Sequence, residues 1–310
     1  MIRKINKIDK LSILIPVYNY KVIDLVKKVY NQCGKLKIEF EVLVFDDGSK
    51  EKFKAENKVL GNLFGVNYME LSENLGRARI RNWLLKSALY DYVLFLDCDS
   101  KIKKKDFIKS YLDALGPNKL INGGRIYSKS KPRAKSKLLH WAYGTKYESR
   151  PAKLRNKKPV QYFHSNNFAA HRQVLDKNPF NESVVGYGYE DLLMAKELKD
   201  EDVIIEHIDN PVIHLGLEKS KDFLTKNLNA VENLVKLDRQ GNKLNIRLER
   251  TAFEIEDWRL DGMLHKYLSR KEESYKKNLL GENPSLWKFQ ALKLKKYWDL
   301  TKADKSEMDG

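Results

Sequence analysis

Asp97 and Asp99 stand two residues apart at the end of the apolar run Tyr92 to Leu96, and a strand's period of two would turn both carboxylates to one side and Cys98 to the other. At about 6.5 Å and an effective dielectric near 20 the two charges repel by about 2.5 kcal/mol, which a divalent cation would reverse. Hard oxygen ligands suit Mg2+ or Mn2+, ions that complete their shells with substrate phosphates. The competing structural reading is a pair of acids that begin a turn. Asp46-Asp47-Gly48-Ser49 closes an earlier apolar run and reads either as a turn or as carboxylates that accept hydrogen bonds from a base edge or a ribose hydroxyl. Arg77 and Arg81, four apart, share one helix face and suit phosphate or the neighbouring acids. Glu190 and Asp191 follow Gly186-Tyr187-Gly188-Tyr189. In the first turn of a helix both would stay anionic, and an anionic carboxylate can take a proton from a hydroxyl. Asn166 and Asn167 can donate and accept at once, as a sugar contact requires, or can form a turn.

These residues need elements to hold them. The runs Leu11 to Val17, Phe40 to Phe45, Val66 to Leu71 and Tyr92 to Leu96 are short and rich in branched or aromatic residues, which predicts strands. Between them Val22 to Cys33, Glu51 to Leu60 and Arg77 to Leu89 keep helical spacing. The alternation predicts an α/β fold with a mostly parallel sheet covered on both faces. Ligands of such sheets sit beyond the carboxyl ends of the strands. Those ends here read Pro16-Val17-Tyr18-Asn19, Asp46-Asp47-Gly48-Ser49, Glu73-Asn74-Leu75-Gly76 and Asp97-Cys98-Asp99, so acidic and amide groups converge on one edge. From Lys101 the pattern predicts long loops with a short helix near Lys137 to Tyr143. A second organised block follows over 161–215, and helices run from Glu218 to Leu300. Trp258, Trp287 and Trp298 in that helical part are expected to pack.

With 310 residues, 42% hydrophobic and 33% charged, the chain can bury a full core without staples and is neither a membrane-spanning bundle nor a disordered polymer. Two distant cysteines, Cys33 and Cys98, exclude a disulfide framework and fit a reducing cytoplasm. The run Leu11 to Val17 is too short, and too interrupted by Ser12 and Pro16, for a secretory signal. Of the net charge of +17, +15 falls within 101–160, where 14 Lys and 4 Arg face Asp106, Asp113 and Glu148. That stretch is either a solvated basic face or a basic rim that guides an anionic acceptor or an anionic membrane surface.

The ordered series Pro-Val-Tyr-Asn, Asp-Asp-Gly-Ser, Asn-Leu-Gly with a following Arg-Asn, and Leu-Phe-Leu-Asp-Cys-Asp resembles the nucleotide-sugar half of the GT-A glycosyltransferases of family 2, over roughly Leu11 to Ile102. The resemblance implies a Rossmann-like GT-A fold, with a catalytic domain at 1–217 (1–102 for the nucleotide sugar, 103–217 for the acceptor) and a C-terminal helical extension at 218–310. It implies donor contacts from Pro16, Val17, Tyr18, Asn19, Asp46, Asp47, Asn74, Arg81, Asp97 and Cys98. Asp47 and Asp46 would meet uracil or ribose, Arg81 would support the base site, and Asp97 and Asp99 would hold ribose and a metal. The segment Gly186 to Asp191 is similar to the acceptor and base loop of galactosyltransferase-like regions, with Tyr187 where tryptophan is usual. This implies that Gly188, Tyr189, Glu190, Asn166 and Asn167 contact the acceptor, that Asp191 is the base, and that His214 is a third metal ligand. The expected function is an inverting transfer from a UDP-sugar, with Mn2+ or Mg2+, to a glycan or lipid-linked acceptor. Two other readings stay open: a basic nucleic-acid-binding protein, which leaves the acids purposeless, and a sugar-nucleotide pyrophosphorylase, which would carry a glycine-rich basic loop after the first strand.

Overall fold

The computed structural model describes residues 8–182 and 188–308, with side chains described as far as residue 302. The chain forms two compact units: 1–126, 149–183 and 194–216 make the first, and 127–148, 184–193 and 217–310 the second.

The first unit is built on β1 (Lys10–Val17), α1 (Ile23–Leu36), β2 (Glu39–Asp46), α2 (Glu51–Asn57), β3 (Val66–Glu70), α3 (Arg77–Ser87) and β4 (Tyr92–Leu96). It continues through β5 (Ser100–Lys101), α4 (Phe107–Ala114), β6 (Lys119–Asn122) and β7 (Arg125–Ile126). The main sheet has the order β3-β2-β1-β4 and then three strands from later in the chain. In the second unit lies α5 (Leu138–Tyr143). The first unit resumes with α6 (Ala152–Arg155), β8 (Asn167–His171) and α7 (Arg172–Lys177). After α8 (Glu190–Asp200), which begins in the second unit and ends in the first, come β9 (Ile204–His207) and β10 (Val212–His214). Strands β8, β6 and β9 complete the seven-stranded sheet. Pairings β1/β2, β2/β3, β1/β4 and β6/β9 are parallel, whereas β8 runs antiparallel to both neighbours. The α/β fold with a mostly parallel sheet is therefore the observed one.

Alternation along β1 divides the core. Leu11, Ile13, Ile15 and Val17 meet Leu25, Val26 and Val29 of α1 and Phe107, Ile108 and Tyr111 of α4. Leu14 joins Ile80 and Leu84 of α3, Leu175 of α7 and Leu198 of α8. Helices thus cover both faces, as a parallel sheet requires. The expectation of long loops across 101–160 is corrected by α4 and β6. The apolar residues of α4 are clustered as Phe107, Ile108 and Tyr111 behind a run of lysines, and β6 buries only Leu120, Ile121 and Asn122, runs too short to stand out beside so much charge. Between them and α5, residues 128–136 are exposed except Pro132 and carry Lys129, Lys131, Arg133 and Lys135.

The second unit contains α9 (Ser220–Arg239), α10 (Arg247–Asp257), α11 (Asp261–Leu280) and α12 (Leu286–Met308) around a core of Phe223, Val231, Leu234, Leu268, Phe289 and Trp298. Of the three tryptophans expected to pack, Trp298 is buried, Trp287 meets the Tyr275 ring edge-on at 5.2 Å while 59% exposed, and Trp258 is 67% exposed. Trp258 lies in the turn after α10, outside the helix, and Trp287 sits in the first turn of α12.

A buried arginine joins the later strands. Arg155 donates to Asn122 Oδ1 at 3.0 Å, Gly123 O at 3.1 Å and Ile208 O at 2.7 Å, and its Nη1 lies 2.6 Å from His207 Nδ1. A Cβ on Gly124 would stand 2.7 Å from the guanidinium carbon, so only glycine fits there. Since arginine can only donate, His207 Nδ1 accepts and its Nε2–H donates to Pro159 O at 2.9 Å. Burial first, then the Arg155 and His164 charges, push this imidazole down to about 4. The unfolded chain therefore binds a proton here between roughly pH 6.5 and pH 4 that the folded chain refuses. Stability contributed by neutral His207 is expected to be complete above that window and lost as the pH falls through it. Chemical denaturation at stepped pH should show a shallower acid-side slope for His207→Gln than for the native chain.

Candidate active site

The carboxyl ends of β1, β2 and β3 are tied to one another by short hydrogen bonds. Asp47 N–H donates to Val17 O at 2.7 Å, Asn19 N–H to Ser49 Oγ at 2.7 Å, and Lys50 N–H to Asn19 Oδ1 at 2.9 Å. Asn19 adopts a left-handed backbone at φ 51°, which asparagine tolerates. Asp46 Oδ1 accepts from Ser49 N–H at 2.7 Å, capping the turn that Gly48 makes at φ 70°. A Cβ on Gly48 would sit 2.5 Å from the Glu73 carbonyl carbon, so this glycine serves both the turn and the approach of the loop after β3.

The structure gives Asp47 a role the sequence did not suggest. Its two oxygens accept the N–H groups of Leu75 at 2.7 Å and Gly76 at 3.1 Å, while Asn74 donates to its carbonyl at 2.9 Å. Burial raises its pKa, with the two backbone donors opposing. Expected to meet a base or ribose, Asp47 also holds with its carboxylate the loop that begins α3. Beside it the Tyr18 ring is 54% exposed at the end of β1, next to Pro16 and Val17.

The Asp97-Cys98-Asp99 segment is a turn and not an extension of β4, since Ser100 N–H donates back to Asp97 O at 3.1 Å. The expectation that a strand's period sets both carboxylates side by side is therefore corrected. Asp97 Oδ1 accepts from Arg81 Nη2 at 2.6 Å, and the Arg81 guanidinium lies over the Phe180 ring at 5.6 Å. Its backbone N–H donates to Asn166 O at 3.0 Å. Asp99 meets the small sheet β5-β10-β7 instead, in which His214 pairs with Ser100 across an antiparallel ladder. Asp99 Oδ2 lies 3.3 Å from His214 Nδ1. Burial would raise the Asp99 carboxyl, but the His214 hydrogen bond and the His214, Arg125 and Arg77 charges outweigh it and hold it below the usual carboxylate value.

Asp97, Asp99 and His214 are consequently not gathered into one cluster: among the described residues no three His, Cys, Asp or Glu side chains are arranged to hold a metal ion. The Asp99 and His214 pair nevertheless fits one. Asp99 Oδ1 is buried and has no hydrogen-bond partner among the described residues, a vacancy that costs about 1–3 kcal/mol unless a ligand fills it. Gly216 lies so close that any Cβ there would strike Asp99 Oδ2. Arg77, singled out in the sequence for phosphate or the neighbouring acids, does act on Asp99, whereas Gly216 and Arg125 were missed in the sequence; a glycine two residues after a histidine was the only signal available.

Asn167, expected at the acceptor, is fully buried and saturated. It accepts from Tyr111 Oη at 2.6 Å and donates to Gly124 O at 2.8 Å and Asn210 O at 3.0 Å, so it is a structural residue. Asn166 is also buried, and its Oδ1 has no hydrogen-bond partner among the described residues. Cys98 is partly buried, and burial pushes its thiol up.

In the second unit, Gly186 and Tyr187 lie outside the described residues. Gly188 takes φ 114°, with Ala230 Cβ 2.5 Å from where its own Cβ would be. Tyr189, at φ 69°, starts α8 by accepting Leu193 N–H at 2.9 Å, and Glu190 Oε2 accepts Gly188 N–H at 2.8 Å. Glu190 and Asp191 do occupy the first turn of α8, and one oxygen of Glu190 is committed to the loop before it.

Residues 12–178, more than half of the chain, match the sequence profile described as glycosyl transferase family 2. The chain belongs to glycosyltransferase family 2. Chondroitin synthase of Escherichia coli is 33% identical over 123 residues, which is 39% of this chain and 18% of that protein. An uncharacterised glycosyltransferase of Rickettsia conorii is 31% identical over 137 residues, 44% of this chain and 22% of the relative. The glycosyltransferase thus aligns with less than a quarter of either relative's length. A mannosyltransferase from Pyrobaculum calidifontis, solved in complex with GDP-Man and Mn2+, superposes with a TM-score of 0.56 at 14% identity, over 93% of this chain and 87% of that one, which shows a shared GT-A fold. Of the three readings open from sequence, membership selects the transferase.

Because Asp47 holds the half-buried Leu75 and Gly76 amides, Asp47→Ala is expected to cost about 1 kcal/mol of folding stability, the net worth of such hydrogen bonds. Urea titration checks the loss, and calorimetry with nucleoside diphosphates should show weakened binding in the same variant.

Proposed function

We propose that this glycosyltransferase transfers a sugar, with inversion, from a UDP-sugar to a hydroxyl of a glycan or lipid-linked acceptor. The carrying observation is the Asp99 and His214 pair with its one unmet carboxylate oxygen, at the carboxyl edge of the sheet next to the turns from β1 and β2. Support for the donor comes from the Tyr18 ring and the Asp46 turn, which offer a base a face and an acceptor. Arg81 acts on the donor indirectly, by holding Asp97 and with it the turn that carries Asp99. Asn166, whose backbone carbonyl accepts from Asp97 N–H of that turn, has an Oδ1 without a hydrogen-bond partner among the described residues.

Mn2+ or Mg2+ would be held by Asp99 and His214, and when bound it supplies positive charge to the departing diphosphate. The chain's own residues do the rest. Arg77 and Arg125, whose charges already act on Asp99, add fixed positive charge near the same group. Asp191, in the first turn of α8, takes the proton of the acceptor hydroxyl as that hydroxyl's oxygen forms a bond to the anomeric carbon. The bond from that carbon to the diphosphate oxygen breaks, and its electron pair leaves with UDP. One displacement from the opposite face inverts the anomeric configuration.

Asp191→Asn is expected to lower turnover by at least ~100-fold, the low end of general-base contributions, with UDP binding nearly intact. Turnover within a few-fold of the native enzyme would remove the base assignment. Asp99→Asn is expected to abolish Mn2+ binding in calorimetry with UDP present; unchanged Mn2+ affinity would remove the metal assignment. UDP release from a panel of UDP-sugars, set beside GDP release from GDP-mannose, tests the donor.

A further inference from the structure

Four exposed apolar side chains of the helical unit lie close in sequence, at the end of α10 and the beginning of α11. Phe253 is 71% exposed, Trp258 67% and Met263 70%, with Leu260 exposed between them in the turn. On α11 the buried residues Leu268, Tyr275 and Leu279 keep spacings of seven and four, which fixes the inward stripe. Met263, Lys266, Tyr267 and Arg270 share the opposite, exposed face. Arg259, at φ 54°, makes the turn, and its own side chain is exposed.

The charges of this segment are sorted by direction. Over 247–271 the basic residues Arg247, Arg250, Arg259, Lys266, Arg270 and Lys271 are all exposed. The acids are mostly drawn inward. Glu249 caps α10 by accepting Ile246 N–H at 2.7 Å, Glu256 accepts Trp298 Nε1–H at 3.0 Å, and Asp261 pairs with Lys302. Only Glu254 and Asp257 remain exposed. A segment whose total charge is almost balanced therefore presents six positive groups against two negative ones, around a row of aromatic and thioether side chains.

We infer that the α10–α11 tip is a docking surface for an anionic lipid bilayer. Exposed aromatic, Leu and Met side chains can enter the acyl boundary, while a surrounding ring of Lys and Arg meets anionic headgroups, each such contact adding to the attraction. A nucleic acid or anionic polysaccharide would use the charge but leave Leu260 and Met263 in water. No helix among the described residues is long and apolar enough to cross a membrane, so the contact is interfacial.

The test uses the full chain and vesicles of phosphatidylcholine with and without phosphatidylserine. Cosedimentation is expected with the mixed vesicles at low salt and to fall at least ~10-fold with phosphatidylcholine alone, and likewise for Phe253→Ser/Met263→Ser and for Arg259→Glu/Lys266→Glu/Arg270→Glu. Quenching of tryptophan emission by brominated lipid should be present in the native chain and largely lost in Trp258→Phe, a substitution that keeps the ring and the fold. Equal binding to both vesicle types, or unchanged binding by both multiple variants, overturns the inference. So does heparin binding without vesicle binding, or a native dimer that the Phe253→Ser/Met263→Ser variant abolishes while vesicles remain unbound.

Discussion

The buried ion pair between Arg81 and Asp97 is the constraint on which the donor edge depends. An arginine that is 5% exposed can be kept there only if a partner and good geometry offset its desolvation, and Asp97 provides both at 2.6 Å. The pair fixes the direction of the turn after β4. With Asp97 committed to α3, the chain must carry Asp99 the other way, toward β10 and His214. One acid stabilises the turn, and the next meets a different partner.

The same division recurs after β2. Asp46 and Asp47 are adjacent, yet each first serves the backbone: Asp46 closes the Gly48 turn and Asp47 holds the amides that lead into α3. Three strand ends thereby become one rigid border, because a shift in any loop would break hydrogen bonds in the next. Such a border is prepared before a ligand arrives, and preorganised dipoles are worth most where charge develops during reaction.

The strands β1 to β4 and the helices among them were legible because each has a run or a period long enough to outweigh local composition. Tyr92 to Leu96 is found with its bounds unchanged, and Leu11 to Val17 and Phe40 to Phe45 lengthen by one or two residues. Across 101–160 lysine hid α4 and β6, whose burial depends on Tyr111, Leu120 and Asn122 meeting partners far away in sequence. The site was legible as a set of acids and illegible as a division of labour. Nothing local distinguishes Asp97 from Asp99, or Asn166 from Asn167; the differences arise from Arg81, His214 and Tyr111, which come from other elements.

Strand β8 has a wider consequence. Because it runs against β4, with Leu96 opposite Asn167, its amino end arrives at the same border as the carboxyl ends of its neighbours. The chain leaves that border at Asp97 and returns to it at Asn166, where the two backbones hydrogen-bond directly. The intervening segment supplies β6, Tyr111 and Arg155 to the same unit, and its two ends are clamped to each other, so its exposed stretch 128–136 can change in length while this border keeps its shape.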